Sequence, residues 1–378
     1  MENSSPLYYY YQMNVPMTKN MDHFKMDWKK PYNVLPTCSP NEFLLKSKRQ
    51  YMYFSTPFKE YDESLNEYIQ PNHLFKLGKD LQFNFWLSTQ NVTSQCHFDS
   101  APNFYLQIHG RKKFIFFSPA DWSNIYIFPR LHPATRQSQV NFSKYYETTF
   151  LGLSSPDPTF PNFAKSQPLE ITLSPGDFLY LPPFWFHHVI VLDDLSVSIS
   201  LYHEGLKESL LKIYSKPFPL HDFRRADQEM VVYLYIEKLI KSLLVHQEPK
   251  TFILKIIEAK YSHLHLDPLL TNSAEAFGYK FHIVTYILRS LGLKSKTFCA
   301  SSSNTNLLES PIIQEHYQNV ERFFTNLDAN LVELLLSDYI EELLSYLVGP
   351  DKILSYMEDC FNLSPLQILN TSPTTQYL

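Results

Sequence analysis

One change of period along the chain narrows the fold more than anything else in the sequence. Between about residues 80 and 203, apolar residues come in short runs broken by turn signals. "LQFNFWLS" is apolar and aromatic, and "PNFYLQIHG" and "KKFIFFSP" flank a compact turn at Gly110. In "PLEITLSPGDFLYLPPFWFHHVIVLDDLSVSISLYH", Pro-Gly-Asp and Asp-Asp separate further strand-length pieces. Ser196, Ser198 and Ser200 alternate there with Val197, Ile199 and Leu201, the period-two pattern of a strand with one apolar face. Many short strands with turns between them favour a sandwich or closed barrel. From about residue 220 the pattern changes. "ADQEMVVYLYIEKLIKSLLV", "PKTFILKIIEAKYSHL", "EAFGYKFHIVTYILRSLGL" and "NLVELLLSDYIEELLSYLV" carry apolar residues at three- and four-residue spacing, as amphipathic helices do. "KSKTFCASSSNTN" reads as an exposed linker. The expected organisation is therefore an irregular, tyrosine-rich segment over 1–75 that carries the first barrel strand and an insert, a β domain over 76–210 and a helical domain over 218–378. Within the first segment, "TPFKEYDESLNEYIQ" reads as a short helix capped by Thr56.

Composition excludes several functions. With 378 residues, 44% of them hydrophobic, the chain can bury a sizeable core. A net charge of −5 and a pI near 6.3 argue against a generally basic nucleic-acid binder. The eight glycines include no phosphate-cradling loop of the GxGxxG or GxxxxGK[ST] kind. The N-terminus lacks a signal-peptide pattern, and no apolar run approaches the ~18 residues of a membrane span. Cys38, Cys96, Cys299 and Cys360 are scattered without CxxC pairing, which fits a reducing compartment, cytoplasm or nucleus.

Against this background two polar residues stand out. His97 and Asp99 lie two apart, directly before a run that reads as buried sheet. On a strand that spacing points both side chains the same way, so they can chelate one ion. Two imidazoles and one carboxylate on one face of a metal leave positions open for other ligands, the arrangement of non-haem iron oxygenases. A second imidazole is available about 90 residues later, where Pro-Gly-Asp, a short strand, two prolines and Trp185 precede His187 and His188. Strand alternation lets only one of the pair face a site, and periodicity does not choose between them. His132, His263 and His282 read as ordinary structural or surface residues. Cys96 reads as packing, since alternation aims it away from its neighbour His97.

"NVTSQCHFDSAPNFYLQIHGRKKFIFFSP", "LSPGDFLYLPPFWFHHV" and "HPATRQSQVNF" together resemble the JmjC (cupin-like) oxygenases, in particular the asparaginyl hydroxylase that inhibits the hypoxia-inducible factor. The resemblance covers roughly residues 80 to 205, with a fainter match near the start. It implies a double-stranded β-helix, or jelly roll, that holds Fe(II) and 2-oxoglutarate. Carried over position by position, it implies that His97, Asp99 and His187 ligate the metal. Lys112, fifteen residues after His97, would pair with the distal carboxylate of 2-oxoglutarate; taken alone it would read as a solvated turn lysine, as Arg111 and Lys113 do. Ser94 would hydrogen-bond the same carboxylate, Asn103 would lie near the metal, and Ser200 would line the metal and cosubstrate. Tyr9, in a row of four tyrosines where Tyr8 or Tyr10 fits equally, would contact the cosubstrate. Arg136 and Gln137 would flank the substrate groove, and Tyr202 stands where the resembled hydroxylase has a tryptophan. The match begins almost at the N-terminus, so elements that precede it in relatives are expected to be short or missing.

The implied reaction is the oxidative decarboxylation of 2-oxoglutarate coupled to hydroxylation of a C–H bond, most naturally on a side chain of a polypeptide substrate. Four other readings use the same residues: a tRNA-base hydroxylase, which the acidic balance disfavours; a histone demethylase, ranked lower because the chain shows no accessory zinc or reader module; a catalytically silent binding protein; and a zinc hydrolase, in which Lys112 and Ser94 have no role. The apolar C-terminal helices suggest a homodimer, or equally a self-contained bundle.

Overall fold

A computed structural model describes residues 7–10, 18–22, 25–29, 34–38, 52–57, 82–132, 134–142, 160–202, 206–261, 299, 305–349 and 352–363. Thr56 and Pro57, where the expected short helix begins, instead end a strand (Tyr53–Pro57); the rest of that helix, the helix in "EAFGYKFHIVTYILRSLGL" and most of "KSKTFCASSSNTN" lie outside the described residues. Contacts divide the chain into two units: residues 1–18, 28–118 and 167–209 form one, and residues 19–27, 119–166 and 210–378 the other.

The first unit carries the alternating and apolar runs as antiparallel strands. They are β1 (Leu7–Tyr10), β4 (Val34–Cys38), β5 (Tyr53–Pro57), β6 (Gln82–Thr89), β7 (Thr93–His97), β8 (Asn103–His109), β9 (Lys112–Phe117), β10 (Leu169–Leu173), β11 (Phe178–Leu181), β12 (Phe186–Val191) and β13 (Leu195–Tyr202). One sheet has the order β11-β8-β13-β6-β5-β1-β4 and the other β10-β9-β12-β7. From β6 to β13 the chain alternates between them, except that β9 and β10 are neighbours in one sheet, which is the winding of a jelly-roll double-stranded β-helix. A separate hairpin pairs β2 (Thr18–Asp22) with β3 (Lys25–Lys29).

Two turns set the strand positions. Gly110 joins β8 to β9 at φ +65°, and a Cβ there would sit 2.1 Å from the Leu195 carbonyl oxygen, so only glycine fits. Between β10 and β11 the Asp177 carboxylate accepts from the Ser174 amide at 2.7 Å, and the Gly176 amide donates to the Gln107 carbonyl at 2.8 Å, pinning this turn to β8.

Within the barrel the polar rows point inward. Ser196, Ser198 and Ser200 are fully buried, whereas Val197 and Ile199 are only half-buried. The usual sheet has its apolar face inside; β13 inverts this, because its inner face lines the space between the two sheets. A buried apolar group of Tyr105, Phe114, Leu173 and Leu181, flanked by Trp86, Phe116, Leu179 and Val189, closes part of that space.

Helix α1 (Lys207–Tyr214) crosses from the first unit to the second at residue 210, and the second unit carries α2 (Arg225–Leu243), α3 (Pro249–Lys260), α4 (Pro311–Thr325), α5 (Ala329–Val348) and α6 (Ile353–Cys360). Asp328 caps α5, its carboxylate accepting from the Asn330 amide at 2.8 Å. Helices α1, α4 and α6 were not among the runs quoted above; α4, rich in polar residues, buries Ile313, Tyr317, Val320 and Phe324 at three- and four-residue spacing. Cys299 and Cys360 form a disulfide, a pairing that their spacing does not reveal and that runs against the reducing setting expected from the cysteine pattern. No helix among the described residues is long and apolar enough to cross a membrane.

Candidate metal and cosubstrate site

His97 ends β7, and Asp99 follows two residues later in the loop. β12 lies beside β7 with His187 opposite His97, so the pairing register itself brings the two imidazoles together, ring centroids 4.3 Å apart. Asp99 Oδ2 is 4.0 Å from His187 Nε2. One ligand atom from each of His97, Asp99 and His187 lies within 4.8 Å of the others. The turn before β12 holds the Asp99 loop in place: the Phe184 amide donates to the Asp99 carbonyl at 2.7 Å, with Phe184 in the left-handed region at φ +65°. A bulky residue there is strained, and such strain clusters at functional sites.

Both imidazoles are oriented from behind. His97 Nδ1 donates to the Gln95 carbonyl at 2.6 Å and His187 Nδ1 to the Trp185 carbonyl at 3.1 Å. With the proton on Nδ1, each ring leaves its Nε2 lone pair for a metal. Burial, with the neighbouring His97, holds His187 well below the ordinary imidazole range, which keeps it neutral. The donor set therefore fits a divalent transition metal. His188 belongs to the opposite face of the sheet, opposite Ile115, and burial pushes its pKa down to about 3.

A bulge extends the same face along β7. His187 pairs with His97 but Val189 pairs with Ser94, so Gln95 and Cys96 together oppose His188 alone. Strict alternation would turn Ser94 away from His97; the bulge returns it to the face of His97, His187 and Val189. Cys96 is fully buried.

Lys112 starts β9 opposite Val191, on the face that carries His187. It is 4% exposed, and its ammonium donates to Tyr105 Oη at 2.8 Å and Ser198 Oγ at 3.0 Å. The two hydroxyls are also hydrogen-bonded to each other. Among the described residues no carboxylate faces this ammonium, and burial lowers its pKa to about 7. A buried cation without an anion is costly, so the residues present suit an anionic ligand. Arg111 and Lys113 differ: Arg111 pairs with Asp193 on the exposed surface and Lys113 with Glu170 at 2.7 Å.

The remaining expected residues fall as follows. Asn103 is buried, and its Oδ1 has no hydrogen-bond partner among the described residues. Ser200 Oγ accepts from Trp86 Nε1 at 2.7 Å. Tyr202 ends the same row of β13, opposite Asn103. The backbone register sets Tyr9 opposite Phe54 and Tyr10 opposite Tyr53. Tyr53 faces Ser88, and Ser88 faces Ser196, so the buried serine row meets β1 at Tyr10 rather than Tyr9. Arg136 and Gln137 belong to the second unit, Arg136 at φ +74°. Tyr105, Ser198 and Trp86 carry polar contacts that the sequence reading did not assign. Their only signal was parity: Tyr105 shares a row with Asn103, and Ser198 with Ser200.

A double-stranded β-helix with two histidines and a carboxylate gathered between its sheets, and a buried lysine on the same face, defines a class of barrel protein. The chain belongs to the Cupin-like domain family, whose sequence profile matches residues 4–209. It is similar to HSPB1-associated protein 1 of Mus musculus, 30% identical over 165 residues, which are 43% of this chain and 32% of that protein. JmjC domain-containing protein D of Dictyostelium discoideum and Lysine-specific demethylase 8 of Xenopus tropicalis are each 32% identical over 124 residues, 32% of this chain and 25% of theirs. The chain thus spans about a third or less of the length of these relatives.

Proposed function

We propose that the chain is an Fe(II)- and 2-oxoglutarate-dependent dioxygenase that hydroxylates a side chain of a polypeptide. The observation that carries this reading is the pairing, on one sheet face, of the His97–Asp99–His187 cluster with a buried lysine that no acidic side chain among the described residues neutralises. A zinc hydrolase has use for the cluster but none for the lysine. On β12 the two are separated by four residues, His187 to Val191, or about 13 Å along a strand. A lysine stem reaching from one end and a small diacid from the other bridge such a gap.

His97, Asp99 and His187 would hold Fe(II) from one side. Bound together, the iron and 2-oxoglutarate would supply oxidative decarboxylation to succinate and CO2, coupled to insertion of one oxygen atom into a C–H bond. The protein's part is to orient and to exclude water. The carbonyls of Gln95 and Trp185 fix the imidazole tautomers. Lys112 and Ser94 bind the distal carboxylate, and the apolar wall of Phe114, Leu173, Leu181 and Val189 keeps the space between dry. The asparaginyl-hydroxylase-like motifs around His97 and His187 favour a protein side chain as substrate. The relative named as a lysine-specific demethylase supports a second reading, hydroxylation of an N-methyl carbon, with the same residues in the same roles.

The reading is tested by incubating the full chain with Fe(II), 2-oxoglutarate and oxygen, and measuring succinate alongside mass spectra of candidate polypeptides and tRNA. Succinate release and one added oxygen atom on a polypeptide are expected, both lost in Asp99→Ala. Oxygen addition to tRNA alone, or succinate release that survives Asp99→Ala, contradicts it.

A further inference from the structure

Tyr105 is the aromatic side chain that bonds Lys112 within the buried cluster between the sheets. Its ring stands from β8 into the space between the sheets, edge-on to Phe114 with centroids 5.1 Å apart. Leu173 and Leu181 complete its apolar surround. Packed on these sides, the ring cannot swing aside without opening a cavity in a close-packed core. Its hydroxyl is fixed as well, by Lys112 Nζ at 2.8 Å and by Ser198 Oγ. The ammonium itself lies 5.5 Å from the ring centroid.

A count of protons shows what this cluster offers. Lys112 has three N–H donors, and two point at the Tyr105 and Ser198 oxygens. The two hydroxyls spend one proton on the bond between them and keep the other. One ammonium N–H and one hydroxyl O–H therefore remain, the latter on Tyr105 when Ser198 is the donor between the two hydroxyls. Two adjacent donors, one of them charged, match the two oxygens of a carboxylate. The aromatic ring beside them fixes how deep that carboxylate can sit.

We propose that Tyr105 is the residue that sets which keto-diacid the site accepts: its hydroxyl donates to the distal carboxylate jointly with Lys112, and its ring limits the length of the diacid. This rests on the reading of the site as a 2-oxoglutarate pocket. The Tyr105 ring lies beside Lys112, the ammonium 5.5 Å from its centroid, so replacing it with a shorter apolar side chain admits an additional methylene. Removing the hydroxyl alone weakens every diacid without changing which length is preferred.

The test is a binding measurement on the full chain loaded anaerobically with Fe(II), following tryptophan fluorescence and thermal shift with 2-oxoglutarate and with 2-oxoadipate, one methylene longer. The wild-type chain is expected to prefer 2-oxoglutarate by at least about tenfold in Kd. Tyr105→Phe is expected to weaken both ligands about five- to tenfold and keep the preference. Tyr105→Leu, or Tyr105→Met if the first does not fold, is expected to bring the two affinities within about threefold. An unchanged preference in the Leu or Met variant, with binding still abolished by Lys112→Met, overturns the role of Tyr105 and leaves the pocket intact. No diacid binding to the folded wild-type chain, or binding indifferent to Lys112→Met, overturns the pocket itself.

Discussion

Lys112 concentrates the chemistry of this site in one group. Its neighbour Lys113 points to the other face and pairs with Glu170, so the two lysines should behave differently. Lys112→Met should weaken 2-oxoglutarate binding by tenfold or more, while Lys113→Ala should change it less than twofold; titration calorimetry separates the two. The pH dependence follows from burial. Lys112 is held at about 7 in the folded chain and returns to its ordinary value of 10.5 on unfolding. Between those values the unfolded chain binds more protons, so this group makes stability rise with pH from about 7 to 10.5 and costs stability below 7. Binding a dianion has the opposite preference: affinity for 2-oxoglutarate should fall as pH rises above about 7. Denaturation and binding measured across that window check both signs, and both dependences should vanish in Lys112→Met. At this scale the sequence showed the motif residues clearly, because His97, Asp99 and Lys112 stand at fixed spacing in one stretch. Tyr105 and Ser198 were hidden for a physical reason. A serine row alternating with Val197, Ile199 and Leu201 looks like any strand with a wet face, and only the second sheet shows that this face is the buried one.

Elements owe their positions to turns and cross-links that differ widely in what they tolerate. Gly110 and Gly176 both have positive φ, but a Cβ at Gly110 collides with the Leu195 backbone while one at Gly176 meets nothing within 4 Å. Gly176→Ala should cost about 1 kcal/mol from backbone strain alone. Gly110→Ala should cost roughly 3 kcal/mol or more, because the β8–β9 turn or β13 must shift. Urea denaturation of the two variants makes the comparison. The Cys299–Cys360 disulfide closes a loop of sequence separation 61, which in the chain-entropy account stabilises by about 4 kcal/mol. Reduction should lower the Tm, and Cys360→Ser should abolish any further effect of reductant. Strands β6 to β13 and helices α2, α3 and α5 were legible because their periods are strong. The bulge in β7 was not, since one extra residue changes no pattern in the sequence yet decides which way Ser94 faces. The disulfide was equally invisible, its partners lying far apart in the chain.

Taken whole, the molecule keeps its two kinds of charge burial in separate units. The barrel unit buries Lys112 among neutral hydroxyls. The helical unit buries Lys260 of α3 against Asp338 and Glu341 of α5, at 2.7 and 2.5 Å, with Tyr261 Oη donating to Glu341 at 2.6 Å. The second lysine is paired with two acidic side chains, so its role is structural: Lys260→Ala should leave Asp338 and Glu341 without their buried cation and destabilise by about 3–5 kcal/mol, with no specific loss of diacid binding. The first lysine is built around an anion, and that contrast is the basis for reading the barrel as a pocket. The most direct test is an anaerobic titration of the full chain with Fe(II) and then 2-oxoglutarate, followed in the visible. One Fe(II) per chain and a weak, saturable charge-transfer band are predicted, both lost in Asp99→Ala, with the band alone lost in Lys112→Met at the same ligand concentration. A folded chain that takes up zinc but shows no band, or a band unchanged in Asp99→Ala, would contradict the account.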